Sequence, residues 1–304
     1  MPEEGIAVSD CLTNIIVHRT IFKNEPVLAG LVMTSDGFQA VSAYPDTAFL
    51  HVLADAAAGQ TLPRFRQTHV IDNKCDHGFD PVTEADRAAE RVIRALIGAR
   101  FPEHGILGEE EGGETALDEL LNRKYLWVID PIDGTRAFIS GLPVWGTLIG
   151  FYENGRAVMG IMDQPFTGER HVAGPDGSFY RGPDGQHTNR VRPCASLDDA
   201  ILFTTSPALY GDDERLAYDG LEAAVRLARY GCDCYAFTLL ASGHVDLVVE
   251  AGLQPYDIAA LIAIIEQAGG IVTCWDGSRP EKGGNVVAAG SRAVHEAALK
   301  ILCR

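Results

Sequence analysis

Residues 127–135 read Trp-Val-Ile-Asp-Pro-Ile-Asp-Gly-Thr, and this stretch decides how the rest of the chain is interpreted. Its apolar start has the composition of a buried strand. The strand runs directly into Asp130 and Asp133, which are separated only by a proline and an isoleucine. Gly134 and Thr135 then allow the chain to turn into a short helix. The segment therefore predicts a strand, a turn and a helix start with two carboxylates at the junction.

Two carboxylates at the edge of a buried strand are costly unless a cation joins them. Mg²⁺ is the natural candidate, because it prefers oxygen ligands and usually shares its shell with phosphate and water. Backbone N–H groups at a helix start bind phosphate, and the missing side chain of Gly134 lets a phosphate approach closely. Taken alone, however, the segment from Asp130 to Thr135 is equally compatible with an ordinary turn after a strand.

Further acidic residues could complete such a site. Glu109 opens the run Glu109-Glu110-Glu111 after Ile-Leu-Gly, and such a run is by itself typical of a solvated surface. Asp257 stands at the start of an apolar helix and Asp86 in the first turn of another, where each could serve only as a helix cap. Each residue therefore also has a purely structural interpretation.

Composition and charge limit the class of protein. The chain has 304 residues, of which 46% are hydrophobic and 22% charged, and this suits one large core or two lobes around a cleft. The net charge of −17 disfavours nucleic acid and acidic membranes as partners, although bound divalent cations would reverse the field locally for a small anionic substrate. The seven scattered cysteines, with no apolar span and no leader-like start, predict a cytoplasmic protein.

Patterns along the chain predict a mixed α/β protein. Helices are expected over residues 46–66 and within 81–100, because apolar residues recur there at helical spacing. Strands at 144–152 and 157–162 flank a hairpin turn, whereas the stretch 173–190, rich in Gly, Pro and Asp, is expected to form surface loops. Further strand- and helix-like segments follow at residues 245–250, 257–268 and 271–275.

Two other known acidic motifs do not match the spacing of the acidic residues in this stretch. Phosphatases of the haloacid dehalogenase type carry a nucleophilic Asp and a second Asp two positions later, whereas Asp130 and Asp133 are three positions apart. An EF-hand loop would need alternating Asp or Asn positions and a terminal Glu, which this stretch lacks.

Taken together, the acidic motifs resemble the inositol monophosphatase family. The resemblance is carried by four motifs in the family's order: Glu109-Glu110 after Ile-Leu-Gly, residues 127–138, Tyr256-Asp257-Ile-Ala-Ala, and residues 266–272, Glu-Gln-Ala-Gly-Gly-Ile-Val. Residues 81–86, Pro-Val-Thr-Glu-Ala-Asp, look like the family's upstream Thr/Asp segment. The resemblance covers roughly residue 46 to the C-terminus, and residues 1–45 form an extension without a recognised counterpart.

This resemblance implies a layered α-β-α-β-α sandwich of the inositol monophosphatase and fructose-1,6-bisphosphatase type, usually in a homodimer. Residues 46–190 would form the lobe that binds metal and phosphate, and residues 191–304 the lobe with the substrate pocket. The resemblance also implies Mg²⁺, two or three ions per subunit. Its ligands would be Glu109, Asp130, Asp133, Asp257 and the carbonyl of Ile132.

The catalytic roles come from the same resemblance. Asp86 and Thr135 would be hydrogen-bonded to each other, and they would orient and deprotonate the attacking water. Glu109 is included among the catalytic residues as a metal ligand. The amides of Gly134 and Thr135 would bind the transferred phosphoryl group.

Three residues indicate which phosphate ester is the substrate. Glu250 lies seven positions before Asp257, where members of the family contact the polar groups of the substrate. Asp233 stands where relatives that act on inositol tend to carry small residues, and two carboxylates suit a cationic alcohol better than a neutral polyol. With Arg136, these residues resemble the histidinol-phosphatase branch. The sequence therefore predicts hydrolysis of L-histidinol phosphate, a step of histidine biosynthesis.

Alternatives remain open at this point. The rival substrate is inositol 1-phosphate or a range of sugar phosphates, and Asp233 could be purely structural. A metal-binding regulatory protein without turnover is an alternative from another class. A phosphatase for 3′-phosphoadenosine phosphate is disfavoured, because no basic cluster is present for a second phosphate.

Overall fold

The computed structural model describes residues 31–34, 37–40, 44–68, 71–73, 81–111 and 117–303. The chain divides into two compact units, residues 1–44 and residues 45–304. In the first unit, the described residues form one antiparallel hairpin of strands β1 (Leu31–Thr34) and β2 (Gly37–Ala40). The predicted extension, residues 1–45, lies largely outside the described residues.

The larger unit alternates helices and strands. Its described helices are α1 (Thr47–Thr61), α2 (Glu84–Arg100), α3 (Leu117–Leu121), α4 (Thr135–Ser140), α5 (Asp212–Glu222), α6 (Asp233–Ala241), α7 (Pro255–Gln267) and α8 (Arg292–Leu302). Its short strands β3 (Asp72–Asn73) and β4 (Pro81–Val82) pair with each other. No helix in the described part of the chain has the length and apolar character needed to cross a membrane.

The remaining strands form two sheets. The first has seven strands, β5 (Gly105–Gly108), β6 (Tyr125–Asp133), β7 (Gly146–Glu153), β8 (Arg156–Gln164), β9 (Glu169–Gly174), β10 (Gly177–Gly182) and β11 (Gly185–Thr188), in sequential order and antiparallel except for β5 and β6. The second contains β12 (Ile201–Thr204), β13 (Leu227–Tyr230), β14 (Leu247–Leu253), β15 (Ile271–Cys274) and β16 (Gly284–Ala289). Its order is β13-β12-β14-β16-β15.

The helices and sheets stack in five layers. Helices α1 and α2 pack together over one face of the seven-stranded sheet, and α6 and α7 lie between the two sheets. Helices α5 and α8 cover the other face of the five-stranded sheet. Successive side chains of a strand point to opposite faces of the sheet, so each sheet can pack against a helix layer on either side. On β14, Val248 faces α7, whereas Val249 faces the outer helices. The predicted α-β-α-β-α fold class is confirmed.

Helix α7 approaches the seven-stranded sheet unusually closely, and this approach places Asp257. Gly150 on β7 and Gly160 on β8 lie under the helix. A Cβ atom at Gly160 would lie only 2.4 Å from the carbonyl oxygen of Ala260. Because these two glycines have no side chains, the helix can pack its small residues directly on the sheet and bring its first turn beside the end of β6.

Two of the element predictions need correction. Helix α1 ends at Thr61 rather than near residue 66, because Pro63 has no N–H to continue the helix. Residues 173–190 do not form loops but carry β10 and β11, which extend the sheet as a meander. Their glycines occupy turns and strand ends. These residues form strands because they pair with neighbouring strands of the sheet. The lobe boundary at residue 190 stays a prediction.

Candidate active site

Three carboxylates meet at the carboxyl end of β6. The ligand oxygens of Asp130, Asp133 and Asp257 all lie within 4.8 Å of one another. Residues three apart on a regular strand would point to opposite faces. The pairing of β6 with β7 has a register shift between Asp130 and Asp133, and this bulge brings both carboxylates to the same site. The first turn of α7 adds Asp257 from the layer between the sheets.

Burial and mutual repulsion raise the pKa of the carboxyls on β6 well above the ordinary value. For Asp130 the largest cause is burial, followed by the charges of Glu109, Asp133 and Asp257. For Asp133 burial is again largest, followed by Asp257 and Asp233. A divalent cation bound among these oxygens would reverse that effect, and the all-oxygen ligand set fits Mg²⁺.

Asp86 and Asp257 are both helix caps and members of this acidic region. Each is the third residue of its helix and closes a capping box. Asp257 Oδ2 accepts a 2.7 Å hydrogen bond from the Gln254 amide, and Asp86 Oδ2 accepts bonds of 2.9 and 2.6 Å from the amide and hydroxyl of Thr83. Because the cap uses one carboxylate oxygen, each residue can cap its helix and also contribute to the site.

The other carboxylate oxygen of Asp86 does not take part in the cap. Asp86 Oδ1 is buried and has no hydrogen-bond partner in the structure. Burial raises the pKa of this carboxyl to about 6, with a further contribution from the charge of Glu109. A buried, unsatisfied acceptor of this kind fits a water molecule or a cation as its missing partner.

Glu109 follows β5, and its amide donates a 3.2 Å hydrogen bond to the carbonyl of Ile129 on the parallel strand β6. Its charge raises the pKa of both Asp130 and Asp86, so it lies near both carboxyls. The close group of three does not include it among the described residues. Glu109 thus lies beside the group rather than within it.

The predicted hydrogen bond between Asp86 and Thr135 is not formed. Thr135 Oγ1 donates to the carbonyl of Ile132 at 3.0 Å, while Asp86 is bonded to Thr83. The physical reason is local: the left-handed Gly134, with φ of 82°, turns the chain so that Thr135 reaches back to the carbonyl three residues earlier. The Ile132 carbonyl keeps a second lone pair for a further partner.

A pocket of about 340 Å³ opens beside the three carboxylates. Seven of the residues singled out from the sequence line it: Asp133, Gly134, Thr135, Arg136, Asp233, Glu250 and Asp257. The other lining residues are not among the site residues predicted from the sequence: Thr205, Leu209, Cys234, Phe237, Ala251, Gly252 and Leu253. The spacing from Asp257 that identified Glu250 also points to residues 251–253, but no local signal marks Thr205.

Glu250 is held by the end of β12. Its side chain is buried, and Oε1 accepts hydrogen bonds of 2.6 Å from the amide and 3.0 Å from the hydroxyl of Thr205. Burial raises the pKa of Glu250 to about 8, and the charge of Asp233 contributes to the same shift. The carboxyl group is therefore mostly protonated at neutral pH in the absence of a cation.

Asp233 begins helix α6 in a left-handed conformation, with φ of 43°. This conformation is uncommon for a residue with a side chain, and Asp is one of the few residues that tolerate it. Its carboxylate faces Gly134, where a Cβ atom would lie 3.1 Å away. Burial raises the pKa of Asp233 to about 6, and the exposed Arg136 acts in the opposite direction.

The chain matches known proteins over this whole region. A model of the inositol monophosphatase family matches residues 45–304. The chain is 40% identical over 267 residues to the chloroplastic bifunctional phosphatase IMPL2 of Arabidopsis thaliana, which covers 83% of this chain and 73% of that protein. It is 36% identical over 241 residues to a histidinol-phosphatase of Mycobacterium tuberculosis, covering 78% and 90% of the two chains.

A solved structure agrees with the sequence matches. An inositol monophosphatase from Zymomonas mobilis superposes with a TM-score of 0.74 at 43% identity, covering 86% of this chain and 100% of that one. The predicted resemblance to this family and to histidinol phosphatases is confirmed. The chain belongs to the inositol monophosphatase family and is a phosphatase of that family.

Proposed function

We propose that this protein is a Mg²⁺-dependent phosphomonoesterase that hydrolyses L-histidinol phosphate to L-histidinol and phosphate. The observation that carries the proposal is the pair of carboxyls, Asp233 and Glu250, that share one pocket with the acidic group of β6 and α7. The acidic group suits metal ions and a phosphate, and the additional pair suits a cationic alcohol.

The metal site would consist of Asp130, Asp133 and Asp257, with Glu109 and the carbonyl of Ile132 completing the oxygen ligands. When bound, Mg²⁺ ions lower the pKa of water and neutralise charge on the phosphoryl oxygens. Two or three ions are proposed, since five protein donors leave room for more than one cation.

The chain's own residues would orient the reactants around that site. Asp86 Oδ1, which has no partner, would accept the proton of the attacking water, and the hydroxyl of Thr135 would help to direct it. The amides of Gly134 and Thr135 would donate hydrogen bonds to the phosphoryl oxygens and hold the phosphorus atom in line with the water.

Recognition of the alcohol would rest on Asp233, Glu250 and Arg136. Histidinol carries an ammonium and an imidazole group, and an ammonium near Glu250 and Asp233 would lower the raised pKa of both carboxyls. Binding would therefore favour the charged form of both carboxyls, chiefly by deprotonating Glu250. The exposed Arg136, at the pocket edge, would limit the excess negative charge.

The direct test compares turnover of histidinol phosphate and inositol 1-phosphate by the purified protein with Mg²⁺. We expect kcat/KM to favour histidinol phosphate by about hundredfold or more, since a desolvated ion pair contributes a few kcal/mol. Asp233→Ala should remove most of that preference. The matched control is Asp118→Ala, because Asp118 is 78% exposed and paired with Lys282 on the surface. A preference for the inositol ester that Asp233→Ala leaves unchanged would contradict the proposal.

Inositol 1-phosphate, or a wider range of sugar phosphates, is the second candidate. Its support is the likeness to the Zymomonas inositol monophosphatase and the raised pKa of Glu250. A protonated Glu250 could donate a hydrogen bond to a neutral hydroxyl group. The absence of Mg²⁺-dependent phosphate release from every monoester tested would instead favour a metal-binding regulatory protein.

We also propose a homodimer in the cytoplasm with no nucleic-acid or membrane partner. The proposal is supported by the acidic charge of −17 and by the likeness to the family. Light scattering coupled to size-exclusion chromatography tests it, with a mass near twice 32.8 kDa expected.

A further inference from the structure

Glu90 is a fully buried carboxylate that belongs to none of the groups described above. It lies on α2, one helical turn after Asp86, and its side chain is 0% exposed. Its two oxygens do not face the pocket but the loop after β5. Oε2 accepts a 2.8 Å hydrogen bond from the amide of Glu110, and Oε1 accepts one of 2.9 Å from the amide of Glu111.

Arg94 balances the charge of this carboxylate. Its Nε donates a 2.7 Å hydrogen bond to Glu90 Oε1 from one turn further along α2. The Arg94 guanidinium also donates to the carbonyl of Glu111. A buried carboxylate with a cation and two amides around it has a donor on each oxygen and its charge compensated, so it forms a rigid anchor.

Gly108 makes room for the anchor. A Cβ atom at this position would lie 2.1 Å from Glu90 Oε1 and 2.4 Å from its Cδ. The backbone at Gly108 is not in the left-handed region, so glycine is needed here for space rather than for conformation. The end of β5 therefore approaches α2 only because residue 108 has no side chain.

These contacts hold Glu109 from both sides. Its own amide is bonded to the Ile129 carbonyl, which continues the pairing of β5 with β6, and the next two amides are bonded to Glu90. The same helix carries Asp86, whose buried Oδ1 has no hydrogen-bond partner. We infer that Glu90 is a positioning residue, which fixes the backbone of Glu109 relative to Asp86 and so sets the affinity of the site for metal.

The inference rests on the proposed role of Glu109 as a metal ligand. Replacing groups that orient a ligand typically weakens metal binding by about 10- to 100-fold. Glu90→Gln replaces one acceptor oxygen with a donor nitrogen, so only one of the two loop amides keeps its partner. Gly108→Ala displaces the Glu90 carboxylate without changing its chemistry.

The experiment measures Mn²⁺ binding without substrate, from the electron paramagnetic resonance signal of the free ion, and the thermal midpoint without metal. Mn²⁺ prefers oxygen ligands as Mg²⁺ does. We expect Glu90→Gln and Gly108→Ala to raise the Mn²⁺ dissociation constant about tenfold or more. Two controls on α2 should bind Mn²⁺ like wild type: Glu84→Gln, which loses an exposed contact to Arg91, and Gly98→Ala, where an added Cβ meets nothing within 4 Å.

A kinetic measurement separates positioning from general destabilisation. In both test variants the Mg²⁺ concentration for half-maximal activity should rise, while KM for the ester at saturating Mg²⁺ should change little. If the thermal midpoint falls but the folded variants bind Mn²⁺ like wild type, Glu90 is only structural and the inference is wrong. If Glu90→Gln does not fold, Gly108→Ala decides the question by the same criterion.

The failure of the inference can be distinguished from that of the proposed function. Wild-type protein that binds no Mn²⁺ would overturn the metal site and the inference together. Wild-type binding with unaffected variants would overturn only the role of Glu90. Neither result depends on which ester the enzyme hydrolyses.

Discussion

The amide of Cys234 donates a 2.7 Å hydrogen bond to Asp133 Oδ2 across 101 residues of sequence. Asp133 ends β6 in the seven-stranded sheet, and Cys234 lies in the first turn of α6, between the two sheets. The bond uses a free N–H at a helix start to hold one carboxylate oxygen. It therefore joins the acidic group to the helix that carries Asp233, the residue proposed to contact the alcohol.

Asp130→Asn and Asp133→Asn test the acidic group. Each variant should lose about hundredfold or more in kcat, because a direct ligand matters at least as much as the groups that orient it. Because the pKa of each carboxyl is raised in the folded protein, its charge destabilises the fold without metal. The thermal midpoint in Mg²⁺-free buffer should therefore equal or exceed that of wild type, while stabilisation by Mg²⁺ is lost. Near-normal turnover in either variant would rule out the assignment.

Gly134→Ala tests the turn after β6. An alanine at φ of 82° costs about 1–2 kcal/mol, and its Cβ would press on Asp233 at 3.1 Å. We expect lower stability and a strong loss of activity. Gly168→Ala is the matched control, because Gly168 has φ of 77° but its added Cβ would meet nothing within 4 Å. In denaturant titrations Gly134→Ala should lose at least as much stability as Gly168→Ala, and only Gly134→Ala should lose activity.

Gly160→Ala tests the close packing of α7 on the sheet. Its Cβ would lie 2.4 Å from the Ala260 carbonyl oxygen, so the helix must move and carry Asp257 with it. Overpacking of this kind costs about 1–3 kcal/mol, and kcat should fall although residue 160 lies outside the pocket. Gly59→Ala, in the open part of α1, should instead preserve activity and stabilise slightly. Unchanged kcat in Gly160→Ala would show that the site tolerates displacement of α7.

His171→Asn tests the pH dependence of stability. Burial lowers the pKa of His171 to about 4 from an ordinary value of 6.5. Between these values the unfolded chain binds a proton that the folded protein does not, so the contribution of His171 is full above pH 6.5 and falls as the pH drops towards 4. Thermal midpoints measured from pH 7 to 4 should fall less steeply in His171→Asn than in wild type. An equally steep fall in His171→Asn would contradict this prediction.

The sequence predicted much of the site because its signals are local. The strand, turn and helix around Asp130 and Gly134 are encoded within one stretch, and the structure contains them as β6 and α4. The caps at Asp86 and Asp257 were also evident from their positions. Spacing could not show that one oxygen of Asp86 serves the cap while the other has no hydrogen-bond partner, since that depends on what lies opposite.

Other features depend on contacts that are distant in sequence. The bulge that turns Asp130 and Asp133 to the same site exists only in the pairing of β6 with β7. Thr205 holds Glu250 across 45 residues. The interpretation of residues 173–190 as loops was wrong for the same reason, because β10 and β11 are strands only through their pairing.

The stretch 127–135 by itself determined the local order of backbone elements and put two carboxylates at their junction. Short-range sterics and hydrogen bonding set a strand end, a glycine turn and a helix start, whatever surrounds them. Tertiary structure decided which carboxylates converge, because strand register and helix packing bring together Glu109, Asp257 and the pocket residues. Only the folded chain buries these carboxyls among like charges. Burial and repulsion raise the pKa of Asp130 and Asp133, and a bound cation would offset both effects.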